Sequence, residues 1–511
     1  MKILSILLLF LTSFFIRASR WLSIVQQKEY RLDRLILFIK TVEGKKELLR
    51  LIPKKKDFSK TGLKRPKITM RILLVAGLFF IQFSFLIIFL VMLLVVFFSP
   101  ARLGIIAYFI VGLLLCLIFI PALVVIAILP TSVVSSIRIF IELVRAKAKV
   151  KKSNPKIIGI TGSYGKTSTK MILAKVLEKK YSVFKTPKSY NNRFSVARSI
   201  NKAFQNQEIM IIEYGAYKKG EIKTLASWFK PNLAVITGLA KQHLGLFGTI
   251  ESVIRAKAEL IKALDPGSIV VCNGNDKGVV KICKLGAGLI SDLDLSADSK
   301  SGKNLKIIEA NEENKDLFII KAHLNKAGKL LFVFAGQQVN TNLMGMHYLE
   351  IIRMVILVAK EFGVSDRDIV DAISSFVPDD KFIFSYKLNS GSLVIDDGGT
   401  SNPKGFVAAI NLASSIEVSK KILITSGIVD LGSESESIHE NLAKKAVKVF
   451  ATVLYVGESG KEQFLSVFGE KFFNGESADD QAKITNFLSN TSNREMILIE
   501  GRMPGWIKQY I

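Results

Sequence analysis

A glycine-rich turn that begins at Gly162 carries residue types that bind phosphate. It follows a short apolar segment, residues 156–160, and precedes residues 169–177, whose apolar side chains recur at helical spacing. The turn contains, in order, Gly162, Ser163, Tyr164, Gly165, Lys166, Thr167 and Ser168. Strand, glycine turn and helix together allow backbone N–H groups and a helix N-terminus to surround a phosphate group.

Each residue type in this turn has its own part in phosphate chemistry. Gly162 and Gly165 allow the backbone to curl around the phosphates, and Lys166 can reach the outer ones. Thr167 can place its hydroxyl on Mg²⁺. The general phosphate-loop pattern has glycine where this chain has Ile160, so only a shorter form of it remains. A turn that merely joins strand to helix would leave Lys166 and Thr167 without a packing role, so a nucleotide-binding loop is the favoured interpretation.

Two later segments end in polar residues that could join this site. Residues 208–212 form a strand of buried type that ends at Glu213, and residues 233–237 precede a loop with His243. Parallel sheets place ligands at the carboxyl ends of their strands, so we expect Glu213 to hold a metal ion near the phosphates. His243, taken alone, is more typical of a loop or core histidine than of a ligand.

The positive charge of the 511-residue chain is unevenly distributed. The formal net charge is +28, and 49% of the residues are hydrophobic, which excludes a disordered chain and is unusual for a soluble nucleic-acid-binding protein. Residues 1–150 contain 23 Lys and Arg against 6 Asp and Glu, so they carry +17 of the excess. The three cysteines have neither a disulfide nor a metal-site spacing, which favours a reducing compartment.

Two long apolar runs lie beside this basic excess. Residues 72–98 and 103–129 contain no charged side chain, and at about 1.5 Å per residue each can cross roughly 30 Å of hydrocarbon. They predict a transmembrane hairpin, and the basic residues at its flanks place both of its ends in the cytoplasm. Residues 3–16 are a shorter apolar segment without a cleavage site, interpreted as an uncleaved anchor with its N-terminus outside.

Eight segments, in the same order, resemble the motifs of the Mur ligases, in particular the branch that adds D-alanyl-D-alanine in peptidoglycan synthesis. The resemblance covers residues 155–511. The segments are GITGSYGKTSTK (159–170), TPKSYNNRFSVA (186–197), IIEYGAYKKGEI (211–222), ITGLAKQHLGLFG (236–248), RAKAELIKAL (255–264), GMHYLEII (345–352), DDGGTSNP (396–403) and DLGSESESIHENLA (430–443).

The resemblance implies an α/β fold with N-terminal transmembrane helices. A P-loop central domain with a parallel sheet flanked by helices would bind ATP, and a smaller Rossmann-like α/β domain would follow it. The expected organisation is an anchor with a basic segment at 1–70, the hairpin at 71–130, a basic linker at 131–154, the central domain at 155–378 and the C-terminal domain at 379–511. We expect the membrane helices to stand where soluble members have a UDP-substrate-binding domain.

The resemblance also implies the chemistry of an amide ligase. ATP phosphorylates a substrate carboxylate, and an incoming amine displaces the phosphate. On this basis Lys166 stabilises the transferring phosphoryl group, while Thr167 and Glu213 bind one Mg²⁺. His243 corresponds to a ligand of a second Mg²⁺, and Lys257 to a carbamylated lysine, a neutral amine that CO₂ turns into an anionic metal ligand. An ordinary solvent-facing lysine on a helix is the alternative for Lys257.

In the C-terminal third, three residues correspond to functional positions of the family. Asp397 matches a ribose-contacting aspartate, and Asn402 begins the Asn-Pro turn that follows it. A turn at the end of a strand is the alternative for both. His439 stands where the family has a histidine, although an exposed helix start accounts for it equally well.

Other positions depart from the family pattern. The two asparagines of its G-x-H-N-x-x-N segment, which borders the adenine, are Tyr348 and Ile351 in this chain, and a lysine near the C-terminus is Glu500. The phosphate and metal residues are therefore retained, whereas the surfaces for the base and the amine are altered.

The predicted function is an ATP-dependent, ADP-forming ligase anchored in a bacterial inner membrane, with its catalytic domains in the cytoplasm. Its partners would be ATP, Mg²⁺, membrane lipids, a carboxylate-bearing cell-envelope precursor that can be lipid-linked, and an amine or dipeptide. The alternatives are a catalytically weak ATP-binding scaffold, favoured by the lost asparagines, and a membrane P-loop kinase, which leaves Asp397 and Lys257 unexplained. Nucleic acid is not an expected partner, because the sequence lacks an aromatic and basic platform.

Overall fold

The computed structural model describes residues 2–40, 42–58, 65–97, 102–241, 244–291, 302–317, 319–379, 382–399, 401–429, 431–475 and 478–507. The chain forms two compact units, Met1–Ile141 and Glu142–Ile511. The first unit is helical, and the second contains the sheets.

The first unit is built from long apolar helices and two short ones. They are α1 (Lys2–Gln27), α2 (Leu32–Lys40), α3 (Val42–Leu49), α4 (Met70–Phe97) and α5 (Arg102–Ser153), the last of which continues into the second unit. Among the described residues, Ser5–Gln27, Met70–Leu93 and Ile110–Ser153 are long and apolar enough to cross a membrane. Side chains such as Phe85 and Phe89 of α4 are more than half exposed, as a lipid-facing surface requires.

Two of these helices are longer than the sequence indicates. The segment predicted as an anchor at 3–16 is part of α1, and the segment predicted as a basic linker at 131–154 is almost entirely helical, since α5 extends to Ser153. The linker prediction followed the basic composition of this segment and assigned it no secondary structure. Leu143 and Ala146 recur at helical spacing and are buried, which gives this part of α5 an apolar face.

Charged groups inside the first unit explain how α1 continues past its apolar start. Arg17 is buried, and its guanidinium donates to the carbonyl oxygens of Leu117 at 2.9 Å and Leu48 at 2.7 Å. Arg20 pairs with Glu47 and with Asp57, at 2.5 and 2.6 Å. Because protein groups satisfy these cations, the helix keeps its fold through residues that a hydropathy pattern treats as an end.

The central lobe, residues 156–374, contains a parallel sheet with the strand order β2-β3-β1-β4-β5-β6. Its strands are β1 (Lys156–Thr161), β2 (Val183–Lys185), β3 (Ile209–Glu213), β4 (Leu233–Ile236), β5 (Ile269–Asn273) and β6 (Lys306–Ala310). An antiparallel sheet follows, with β7 (Ile319–Leu324), β8 (Lys329–Phe334) and β9 (Gln337–Met344).

Helices cover both faces of the parallel sheet, so its strands are almost continuously apolar. The helices of this lobe are α6 (Lys166–Leu177), α7 (Arg193–Ala203), α8 (Glu221–Trp228), α9 (Leu244–Phe247), α10 (Ile250–Lys262), α11 (Lys277–Gly286), α12 (Tyr348–Glu361) and α13 (Asp366–Ser374). Strand β1 lies between β3 and β4, with Ile160 opposite Glu213 and Thr161 opposite Ile236. The carboxyl ends of these three strands therefore meet at one edge, where a doubly wound sheet binds its ligands.

The C-terminal lobe, residues 384–500, has its own sheet with the order β10-β11-β15-β12-β13-β14, in which β10 is antiparallel to its neighbour and the rest are parallel. Its strands are β10 (Phe384–Lys387), β11 (Leu393–Asp397), β12 (Lys420–Thr425), β13 (Thr452–Tyr455), β14 (Phe472–Asn474) and β15 (Glu495–Glu500). Its helices are α14 (Pro403–Ser415), α15 (Ser435–Ala446), α16 (Lys461–Phe468) and α17 (Ala478–Ser489). An apolar cluster covers each face of this sheet, and the predicted α/β fold is confirmed.

Candidate active site

The turn after β1 wraps tightly around the start of α6. Gly165 has φ 78°, a left-handed conformation that favours glycine, and directly precedes the helix. A Cβ atom at Gly162 would clash with the hydroxyl of Thr237, which follows β4. That hydroxyl donates to the carbonyl oxygen of Tyr164 at 2.5 Å. The conformation of the loop thus favours glycine at 165, and its close packing on Thr237 requires glycine at 162.

Lys166 folds back over this loop. Its Nζ donates to the carbonyl oxygens of Gly162 at 2.6 Å and Ser163 at 3.1 Å. Burial lowers the pKa of Lys166, and the Glu213 carboxylate opposes that shift. The ammonium group is therefore held at the loop, close to the end of β3.

Glu213 is fully buried at the end of β3, and a lysine that the sequence analysis did not single out lies against it. Nζ of Lys170, one turn beyond Lys166 on α6, is 2.6 Å from Oε1 of Glu213, and both side chains are fully buried. The two groups form an ion pair, but their geometry is not that of a hydrogen bond. Lys170 also donates a hydrogen bond to the carbonyl oxygen of Lys188. The four-residue spacing from Lys166 places Lys170 on the same side of the helix, which is the signal that could have revealed it.

The residues predicted to hold Mg²⁺ offer oxygen atoms, which suit this hard cation. Oε2 of Glu213 is a buried acceptor that receives no hydrogen bond within the described residues. The hydroxyl of Thr167, at the start of α6, lies 3.1 Å from the hydroxyl of Ser189. His243 lies outside the described residues, and the described ones contain no group of three His, Cys, Asp or Glu side chains able to hold a metal. Glu213 and Thr167 therefore fit a cation by their chemistry.

Lys257 of α10 lines a pocket of about 60 Å³ together with Gly162, Ser163 and Lys166. It is only 4% exposed, so the solvent-facing alternative is wrong. Burial and then the neighbouring Lys166 hold the pKa of Lys257 well below its usual range, and Glu221 is among the groups that oppose the shift. The pocket thus contains two lysines, Lys166 and Lys257, and Lys257 has a reduced affinity for its proton.

Asn191 is another pocket residue that the sequence analysis did not single out by itself. The backbone carbonyl oxygen of Asn191 accepts a hydrogen bond from the backbone N–H of Gly215 at 3.0 Å. Both residues line the pocket. A Cβ atom at Gly215 would clash with the Asn191 side chain. The consecutive asparagines in the segment 186–197 were the available signal, since the second, Asn192, caps α7 and leaves the first for the pocket.

The two predicted ribose-side residues lie on the C-terminal lobe. Asn402 caps α14, and its side chain accepts from the backbone N–H of Gly405 at 3.0 Å. Asp397 ends β11 opposite Glu500 of β15, and burial raises the pKa of Asp397 to about 7, with Asp396 adding to the shift. Burial and Asp397 also raise the pKa of Glu500, which receives a hydrogen bond at 2.7 Å from the Ser401 hydroxyl. Where the family pattern has a lysine, this chain therefore has a buried pair of acids.

Three residues at family positions belong to the core. Tyr348 and Ile351, which replace the expected asparagines, are 3% and 7% exposed on α12. His439 is fully buried, so the exposed helix start is wrong: its Nε2 accepts from the N–H of Ile428 at 3.0 Å, and its Nδ1 lies 2.7 Å from the carbonyl oxygen of Ser435. These two contacts define a neutral ring that fixes the loop after β12.

The chain resembles known proteins in both sequence and structure. Residues 160–359 match the Mur ligase middle domain. The UDP-N-acetylmuramoyl-tripeptide--D-alanyl-D-alanine ligase of Bacillus subtilis is 27% identical over 301 residues, which are 58% of this chain and 61% of that protein. The enzyme of the same name from Mycobacterium tuberculosis is 28% identical over 311 residues, 60% of this chain and 59% of its own length. The chain thus spans about three fifths of the length of these relatives.

Solved structures share the fold. MurF from Acinetobacter baumannii superposes with a TM-score of 0.61 at 21% identity, covering 72% of this chain and 78% of that one. MurF ligase from Thermotoga maritima, in complex with ADP, gives a TM-score of 0.61 at 22% identity, covering 73% of this chain and 82% of that one. Residues 160–359 therefore match a Mur ligase middle domain, within a chain that shares the fold of the MurF ligases.

Proposed function

We propose that this protein is a membrane-anchored, ATP-dependent amide ligase of cell-envelope synthesis. The observation that carries the proposal is the convergence of Lys166 and Lys257 in one pocket on the phosphate loop of a Mur ligase middle domain. A carboxylate oxygen of the precursor attacks the γ-phosphorus of ATP, and ADP leaves. An amine nitrogen then attacks the acyl carbon, phosphate leaves, and the nitrogen gives up a proton.

Lys166 serves the first of these steps. Its ammonium group lies on the loop carbonyls of Gly162 and Ser163, at hydrogen-bond distance, and is already desolvated. A positioned cation in such a site stabilises the charge on a transferring phosphoryl group without reorganisation at the moment of reaction. The backbone of the turn and the N-terminus of α6, including Ser168, supply further donors for the phosphates.

Thr167 and Glu213 would hold a Mg²⁺ ion, and His243 would contribute to a second one. When bound, Mg²⁺ neutralises part of the charge on the phosphates. The Oε2 atom of Glu213 supports this assignment, because it is a buried oxygen that receives no hydrogen bond within the described residues and so has room for a further partner.

Lys257 is suited to carbamylation. Burial lowers its pKa, which raises the neutral fraction of the amine, and a neutral amine adds to CO₂ with formation of an N–C bond and release of a proton. The carbamate would be an anion beside the Lys166 cation, and this pairing replaces the repulsion between two ammonium groups.

Asp397 and Asn402 would contact the ribose of ATP from the C-terminal lobe. The substrates follow from the relatives, whose printed name joins D-alanyl-D-alanine to a UDP-N-acetylmuramoyl-tripeptide. The candidate membrane spans support a precursor carried on a lipid, and the basic residues that flank them support a cytoplasmic catalytic part.

The test is whether purified full-length protein in detergent releases ADP and phosphate only when a carboxylate precursor and an amine are both present. Turnover that never depends on either substrate would contradict the proposal. Lys166→Ala should lower turnover at least about a hundredfold, because it removes the charge at the phosphoryl group. Lys175→Ala, on the same helix but away from the pocket, is the matched control and should retain turnover.

A second candidate, an ATP-binding scaffold without ligase turnover, is favoured by one observation. Tyr348 and Ile351 are packed in the core at positions where the family pattern has polar side chains beside the adenine. Nucleotide binding without substrate-dependent ADP release, in the same assay, would favour this candidate.

A further inference from the structure

Lys404 joins the two lobes of the second unit beside the phosphate loop. It lies in the first turn of α14, two residues after Asn402, and its Nζ is 2.6 Å from Oδ2 of Asp276 in the central lobe. The Asp276 side chain is 8% exposed and that of Lys404 is 49% exposed. One partner of this ion pair is therefore buried, which distinguishes it from a surface pair.

Backbone N–H groups hold the Asp276 carboxylate independently of Lys404. Its Oδ1 accepts from the N–H groups of Gly278 at 3.0 Å and Val279 at 3.3 Å, which caps α11. Its Oδ2 accepts from the N–H of Leu239, in the segment after β4, also at 3.0 Å. Because these backbone donors already hold the carboxylate, only the lysine side chain loses freedom when the pair forms.

Tyr164 brings the phosphate loop into the same contact. Its hydroxyl lies 3.5 Å from Oδ2 of Asp276, and Nζ of Lys404 is 5.5 Å from the centre of its ring. This distance allows a cation–π interaction. The ring packs over Gly238, where a Cβ atom would clash with it. The ammonium group of Lys404 thus meets the loop that is proposed to bind phosphate as well as the cap of α11.

A second ion pair crosses between the lobes, but it is weaker. Nζ of Lys241 lies 2.7 Å from Oε2 of Glu434, and their side chains are 48% and 38% exposed. Exposed pairs of this kind contribute little to stability, so they do little to hold two lobes together.

We propose that Lys404 is a positioning residue that keeps the two lobes closed before nucleotide binds. It would hold Asp397 and Asn402 beside the phosphate loop, so that the nucleotide meets a preformed site. Without Lys404 the lobes would open, and part of the binding free energy of the nucleotide would be used to close them. The identity of the ligand rests on the proposed function, whereas closure of the lobes does not.

The test measures closure and nucleotide affinity separately in the full-length protein. Dyes attached through Ser227→Cys in the central lobe and Ser466→Cys in the C-terminal lobe report the distance between the lobes by energy transfer. Both serines are exposed, whereas the three native cysteines are buried, so labelling is selective. Lys404→Met removes the cation, Lys404→Arg retains it, and Lys444→Met is the matched control, since Lys444 pairs with Glu440 on its own helix.

We expect Lys404→Met to lower energy transfer in the nucleotide-free protein and to weaken ADP binding about fivefold, with transfer restored at saturating ADP. Lys404→Arg and Lys444→Met should behave as the unsubstituted protein does. Unchanged energy transfer in Lys404→Met would overturn the proposal, even if ADP bound more weakly. If the lobes open as expected in a protein that shows no ligase turnover, the inference about Lys404 stands and the proposed function fails.

Discussion

The ammonium group of Lys170 lies 2.6 Å from the carboxylate of Glu213, and neither side chain is exposed to solvent. The anion that ends β3 is therefore balanced by a cation from the helix of the phosphate loop. Lys170 also donates to the carbonyl oxygen of Lys188, in the segment between β2 and α7. One lysine thus joins three segments that surround the candidate site.

Lys170→Met should destabilise the protein strongly, because it leaves the Glu213 carboxylate buried without a counter-charge. Removing one partner of a buried pair typically costs about 3–5 kcal/mol of unfolding free energy. Chemical denaturation of the full-length protein, followed by a probe in the central lobe, measures this loss.

Lys175→Met, later on the same helix, is the control for the loss of a lysine side chain. The double variant Lys170→Met/Glu213→Leu should recover much of the lost stability, since both charges are then absent. If Lys170→Met were as stable as the control, the pair would not have the importance that its burial indicates.

Lys257→Ala should abolish turnover while leaving nucleotide binding measurable, because the lysine lines the pocket without belonging to the phosphate loop. With ¹³C-labelled bicarbonate, the unsubstituted protein should show a carbamate carbon signal that Lys257→Ala lacks. Lys262→Ala, at the exposed end of the same helix, should retain both signal and turnover. Full turnover after exhaustive removal of CO₂ would argue against a carbamate on Lys257.

The acid pair of the C-terminal lobe should make stability depend on pH. Burial raises the pKa of Asp397 to about 7, so the folded protein keeps a proton that the unfolded chain loses near its ordinary value of 3.8. This contribution to stability is therefore fully present below pH about 4 and is lost as the pH rises to about 7, by an amount on the order of 4 kcal/mol.

Glu500→Gln should flatten this dependence, since burial and Asp397 also raise the pKa of Glu500, and the substitution removes the second carboxyl group that holds a proton in the folded protein. Thermal unfolding of the full-length protein at pH 5 and pH 8 gives the comparison, with Glu462→Gln on α16 as an exposed control. A larger difference between the two pH values in Glu500→Gln than in the unsubstituted protein would show that the sign is wrong.

The sequence predicts those features that depend on local pattern. The phosphate loop follows from glycine spacing between a strand and a helix, and the place of Glu213 follows from the rule that parallel strands end at one edge. The partners of these residues are less accessible, because Lys170 and Lys404 acquire their roles only when helices pack against distant strands. The sequence left two interpretations of His439 open for the same reason, since its burial depends on the loop after β12 rather than on its own helix.

The packing of Tyr348 and Ile351 into the core has a consequence for inhibitor design. A compound designed to bind polar side chains at the two asparagine positions of the family pattern would find neither in this chain, since Tyr348 and Ile351 are 3% and 7% exposed. Reintroducing the amides by substitution would place two polar groups in the apolar cluster around α12 and cost stability. Selectivity between this chain and its relatives can therefore be sought on the base side of the nucleotide, whereas compounds that bind the phosphate loop would not discriminate.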